Sequence, residues 1–146
     1  MKRLNLSLLP LLLLAGCQKT PELAAPDARA TGGVQLEIQY NALRALAYRG
    51  SDAMKDPDRI DKLGEMLDEQ KQQGNFRLKL KNGQEVADQA EARTTVESAL
   101  KAIVQLHKKR PDIDLARLNP AIDKLTQSSN EVLKQEALRT KAALAQ

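Results

Sequence analysis

The stretch from Asp88 to Lys109 constrains the fold most, because its apolar residues recur with the period of an α-helix. Ala92, Val96, Ala99, Leu100, Ile103 and Leu106 follow one another at spacings that gather them on one face. Lys108, Lys109 and Arg110 come next, where cations complement the negative end of a helix dipole, and Pro111 stops the run. A helix with one apolar stripe gets most of its stability from burying that stripe against other elements. Composition indicates what those elements are. Aromatic residues make up 2% of the chain, only Tyr40, Tyr48 and Phe76. A core of Leu, Ile, Val and Ala under a surface of strong helix formers predicts a mainly all-α fold, a small bundle of three to four helices.

The neighbouring segments supply the partners. Leu36, Tyr40, Leu43 and Ala47 predict a first helix over Val34 to Arg49, with Leu46 beside the stripe and Gly50 where a left-handed cap is wanted. Asp56-Pro57 opens a second helix as N-cap and first-turn proline. Ile60, Leu63 and Leu67 form its buried stripe, Met66 flanks it, and Gly74 ends it. Asn119-Pro120 repeats that start for a last helix carrying Ile122, Leu125, Val132 and Leu133. Its stripe weakens at Gln127-Ser128-Ser129-Asn130. Beyond Glu136 it turns polar and alanine-rich, which predicts a frayed or projecting end.

Residues 76–87 follow another rule. Phe76, Leu78 and Leu80 alternate with Arg77, Lys79 and Lys81, and Asn82-Gly83 is a strong hairpin turn signal. Two solutions stay open: a short β-hairpin lying on the helices by its apolar face, or an extended loop. An isolated hairpin is marginal in water, so the first requires packing.

The inventory of reactive groups is thin. His107 is the sole histidine, which excludes multi-histidine metal sites. Beside Lys108 near a helix end, it reads as a solvent- or dipole-facing residue. No Gly-rich phosphate loop and no nucleophile elbow occurs. Asp56, Asp58 and Asp61 crowd a helix start, where acids complement the dipole, and they lack the spacing and glycine of a calcium loop. Asp112 and Asp114 precede the next turn, and Ser128-Ser129 reads as a polar patch in a helix. The expectation is therefore no catalytic residue, no metal, no cofactor and no small-molecule substrate. The remaining enzymatic alternative is a carboxylate-based hydrolase. The candidate binding surface is the cationic row Arg77, Lys79 and Lys81, able to meet anionic lipid headgroups, lipopolysaccharide phosphates or an acidic partner strand. A groove left between helices would be a second surface.

The N-terminus addresses the chain. Lys2 and Arg3 precede an apolar run, Leu4 to Leu14, too short to span a bilayer. It ends in Leu14-Ala15-Gly16-Cys17, which contains the only cysteine. This order resembles the lipobox of bacterial lipoproteins, and the resemblance covers residues 1–17. It implies cleavage ahead of Cys17, diacylglycerol on its sulfur and usually acylation of the new amine. Two or more acyl chains hold a protein stably to a bilayer. Gln18 follows rather than Asp, and the sorting rule known for enteric lipoproteins then implies the outer membrane, facing the periplasm.

The domain organisation that follows is a signal peptide over 1–16, a lipidated cysteine with a flexible tether over 17–33, and one helical domain over 34–146. Pro21, Pro26, Gly32 and Gly33 punctuate the tether, whose sixteen residues after Cys17 reach at most ~55 Å. A mature chain of 130 residues keeps 21 Lys and Arg against 19 Asp and Glu, a net charge of +2, which gives no case for nucleic acid. With Cys17 lipidated no thiol is left for a disulfide, so the fold stands on packing. The functional expectation is a non-catalytic helical binding or adaptor module for another cell-envelope protein. In size, anchor and helix count the chain is similar to secretin pilotins, outer-membrane lipoproteins that carry a pore subunit by gripping an amphipathic helix. No pilotin motif matches residue by residue. An inhibitor or immunity-type lipoprotein is the further alternative.

Overall fold

The computed structural model describes residues 31–146. The signal segment, Cys17 and most of the expected tether lie outside the described residues. Six helices and one small sheet follow in the order α1 (Thr31–Arg49), α2 (Pro57–Met66), α3 (Glu69–Asn75), β1 (Arg77–Lys79), β2 (Glu85–Ala87), α4 (Gln89–Lys109), α5 (Asn119–Leu125) and α6 (Glu131–Leu144). Single 3-10 turns, Asp52–Lys55 and Ala116–Leu118, lead into α2 and α5. The mainly α-helical class read from the sequence is the class observed.

α4 is the axis, as its periodicity predicts. Asp88 caps it by accepting a hydrogen bond from the Glu91 amide at 3.0 Å. Val96, Ala99, Leu100, Ala102, Ile103 and Leu106 are fully buried against α1, α2, α3 and α6. Burying each of Val96, Leu100, Ile103 and Leu106 contributes about 1.5–3 kcal/mol, and Ala99 and Ala102 let neighbouring helices approach closely. The Arg44 guanidinium ties α1 to α4 through the Ser98 hydroxyl.

Three helices run the same way. A Cβ at Gly33 would lie 3.6 Å from the Asn75 carbonyl oxygen, and the Asp88 amide donates to Phe76 at 2.8 Å, so α1 begins where α4 begins. Gly50, at the far end of α1, packs on Lys109 at the end of α4. Leu133 of α6 shares a small recess with Ala92, and Leu144 shares another with His107. The bundle thus has two distinct ends. One carries the starts of α1, α4 and α6 together with the sheet; the other carries their terminations and the 110–118 segment.

The structure departs from the sequence expectations at several places: α1 starts at Thr31, inside the expected tether, Gly74 lies within α3, and Val132 is exposed. The second helix is interrupted at Leu67-Asp68, where Asp68 accepts from the Gln70 and Lys71 amides at 3.1 and 3.2 Å and opens α3. Gln72 then turns inward, fully buried, and its Nε2 donates to the Glu65 carbonyl at 2.7 Å. A carbonyl at the broken helix end thereby gains a partner. Asn119 is not a cap: it is the first residue of α5, Leu118 stands at the N-cap position, and no side chain caps that start. The last helix is likewise divided, because Asn130 accepts from the Val132 and Leu133 amides and starts α6 anew. Ser128 and Ser129 lie in this break rather than in a helix. Finally, the C-terminal segment does not fray. Ala137 and Thr140 are fully buried and Leu144 packs on the core.

The open alternative at residues 76–87 resolves as a hairpin. Its antiparallel register pairs Arg77 with Ala87, Leu78 with Val86 and Lys79 with Glu85. Gly83 at φ 83° makes the turn, its amide donating to the Leu80 carbonyl at 2.8 Å. Only the base of the apolar face packs: Phe76 is buried, Leu78 half-buried, and Leu80 at the tip is 42% exposed.

Candidate functional site

The end of the bundle where α4 stops is organised by one side chain. Arg110 follows α4, and its Nε and Nη2 donate to the two carboxylate oxygens of Asp112 at 2.8 and 2.7 Å. Its Nη1 reaches back across the fold to the Gly50 carbonyl at 3.1 Å and to Asp52 at 3.0 Å. Lys109 adds a bond to the Tyr48 carbonyl at 2.6 Å, and Lys55 approaches Asp52 at 3.4 Å and Asp112 at 3.7 Å. The loop after α1 is thus fastened to the loop after α4. Gly50 allows the approach, since at φ 67° a Cβ there would fall 2.9 Å from that of Lys109.

This knot fixes the local charge states. The bidentate guanidinium holds the Asp112 carboxyl at about 2, well below its usual range. Lys55, then Arg110, lower that of Asp52, and Asp112 in turn raises that of Arg110.

Two concavities flank the fastened 112–114 segment. One, of 330 Å³, is lined by Lys55, Pro57, Ile60, Asp112, Ile113, Asp114 and Arg117. Ile60 and Ile113 are its buried apolar floor, and charges of both signs stand at its edge. The other, of 390 Å³, shares Asp112, Ile113 and Asp114 and is bounded by His107, Leu115, Asn119 and Leu144 among others. Such an arrangement can seat a side chain or a short helix on an apolar floor with charge pairing around it. A carboxyl held as low as that of Asp112 stays ionised at neutral pH and is a poor proton donor there.

The residues singled out in the sequence are distributed as follows. Arg77 and Lys79 share β1, exposed, whereas Lys81 falls in the turn beyond it, so the row of three is two strand positions and one turn position. Arg77 pairs with Glu85 across the hairpin, its Nη2 donating to the Glu85 carbonyl at 3.0 Å. Asp56 caps α2 through the Asp58 amide at 3.1 Å, and Asp61 pairs with Arg117 at 3.4 Å. Ser128 accepts from the Asn130 amide at 3.0 Å. His107 is half-buried at the edge of the larger concavity. Cys17 lies outside the described residues. The fastening role of Arg110 was not visible in the sequence, where it reads as one of three cations closing a helix; its partners Gly50 and Asp52 are about sixty residues away.

Among the described residues no helix is long and apolar enough to cross a membrane, and no group of three or more His, Cys, Asp or Glu is placed to hold a metal ion. Comparison with known protein families, with curated proteins and with solved structures finds no match for this chain.

Proposed function

We propose that this chain is a lipoprotein of the bacterial envelope, held at the periplasmic face of the outer membrane through Cys17, whose helical domain binds another envelope protein without catalysis. The observation that carries this reading is the order of Lys2-Arg3, the apolar run and Leu14-Ala15-Gly16-Cys17 at the head of the chain. The charged concavities around Asp112-Ile113-Asp114 support the binding role, because they combine a buried apolar floor with fixed charges.

The test has two parts. Metabolic labelling with an alkyne fatty acid, followed by membrane fractionation, should place label on the wild-type chain in the outer membrane and none on Cys17→Ser. A soluble, unlabelled wild-type chain would end the anchoring proposal. Crosslinking in intact cells and capture of the chain should then recover a partner, and Arg117→Glu at the rim of the smaller concavity should weaken that recovery. Partner recovery that survives both this change and removal of the folded domain would end the adaptor proposal.

A further inference from the structure

We infer that the tip of the hairpin, Leu80 with Lys79 and Lys81 on either side, is a contact surface for an anionic lipid leaflet, and that the domain stands on its membrane by this end. The inference rests on the anchoring proposed above and names what the folded domain does next to that anchor.

Three observations meet at this end. First, the connection from Cys17 arrives here. Thr31 lies fourteen positions after Cys17 along the chain, at most about 50 Å of extended backbone, and α1 begins beside Asn75 at the hairpin base. The opposite end of the bundle lies farther off by the length of α4, whose 21 residues measure about 31 Å. Second, the tip projects. Strands rise about 3.3 Å per residue, so Leu80 stands roughly 13 Å beyond Phe76. Leu80 is 42% exposed there, although the same face is buried at Phe76. A leucine left out at the tip of a hairpin that buries its base is unsatisfied by the fold.

Third, the charge suits a lipid surface. Lys79 and Lys81 flank Leu80 and are both exposed, and juxtamembrane lysines are drawn to anionic headgroups. A protruding apolar residue between cations can insert at the interface while the ammonium groups stay with phosphates.

The experiment uses the full chain, produced where it is lipidated, so that Cys17 is blocked and an introduced cysteine is the one free thiol. An environment-sensitive fluorophore is placed at Gln84→Cys in the turn, or at Ala116→Cys on the opposite end. Each protein is reconstituted into vesicles of phosphatidylethanolamine with phosphatidylglycerol, or of phosphatidylcholine alone. The emission at position 84 should shift to the blue and be quenched by a bilayer-borne quencher in the anionic vesicles, more than in phosphatidylcholine. Position 116 should remain in water in both. High salt, which shortens the screening length from about 10 Å at 0.1 M to about 3 Å at 1 M, should diminish the shift at position 84, as should Lys79→Glu with Lys81→Glu. The salt arm carries the charge argument if that double variant unfolds.

A lipidated chain whose position 84 stays in water on anionic vesicles overturns this inference and leaves the anchor standing. So does shielding found only in native membranes, which assigns the tip to a protein partner. A shift indifferent to salt and to both lysines overturns the charged contact. A chain whose mass shows no lipid and which washes off the vesicles overturns the anchor and this inference together.

Discussion

Where α4 ends, Arg110 alone joins Gly50, Asp52 and Asp112, three groups from two separate loops. Where α4 begins, the hairpin is joined to the bundle by the burial of Phe76 and the Asp88-to-Phe76 backbone bond, and its tip extends past both. The first end is crosslinked by charged bonds spanning about sixty residues; the backbone bond at the hairpin base spans twelve. Opening the first requires breaking several partners at once, whereas the second can open locally with little effect on the rest. On the function and the lipid contact proposed above, the charged end presents a shaped surface and the basic end settles onto a soft one.

The scale for both ends is set between them, in α4. Leu100→Ala leaves a cavity at a fully buried position and should cost about 2–5 kcal/mol in urea unfolding. A loss under ~1 kcal/mol would remove α4 from the centre of the fold. Truncation after Glu136 takes away Ala137, Thr140 and the core contact of Leu144, and should cost about 2–4 kcal/mol. Calorimetry would read this as a clear fall in Tm, and an unchanged Tm would mean that α6 beyond Glu136 is dispensable.

The glycines sharpen the contrast between the ends. Both Gly50 and Gly83 have positive φ, so a side chain at either is strained by about 1–2 kcal/mol. Only at Gly50 does the added Cβ also meet Lys109, at 2.9 Å, while Gly83 faces open space. Gly50→Ala should therefore destabilise more than Gly83→Ala in chemical denaturation. Equal losses would deny the tight closure of the charged end.

The smallest effect is one of pH. The Asp112 carboxyl is held at about 2 in the fold, against about 3.9 when unfolded. Its contribution is complete above pH ~4 and is lost as pH falls from there through about 2. Arg110→Met should flatten that part of the stability profile while leaving the neutral-pH fold intact. An unchanged acid limb would show that the pairing is not what lowers Asp112.

What the sequence disclosed depended on how each element is stabilised. α4 was legible because large aliphatic residues mark its buried face. The end of α6 was not, because Ala137 and Thr140 form its inner face, and neither looks apolar by bulk; they are buried because α4 lies close. The interruptions at Asp68 and Asn130 were signalled by capping residues and by a fading apolar stripe, but strong helix formers on both sides made each pair read as one helix. The hairpin was half legible: Asn82-Gly83 announced the turn, while the alternation that implied a packed face overstated it at Leu80. The fastening by Arg110 depends on loops far apart in sequence and left no local trace. The lipobox resemblance is the opposite case, read wholly from a short local pattern.

Hydrogen exchange of the full chain, free and then anchored in vesicles containing phosphatidylglycerol, tests the division of labour between the ends most directly. In the free chain the Leu80 and Gly83 amides should exchange faster than those of Arg110 and Ile113, which lie in the knot. Anchoring should slow exchange around Leu80 and leave residues 110–118 unchanged. Equal protection at the two ends of the free chain, or slowing confined to 110–118 on anchoring, would contradict the account.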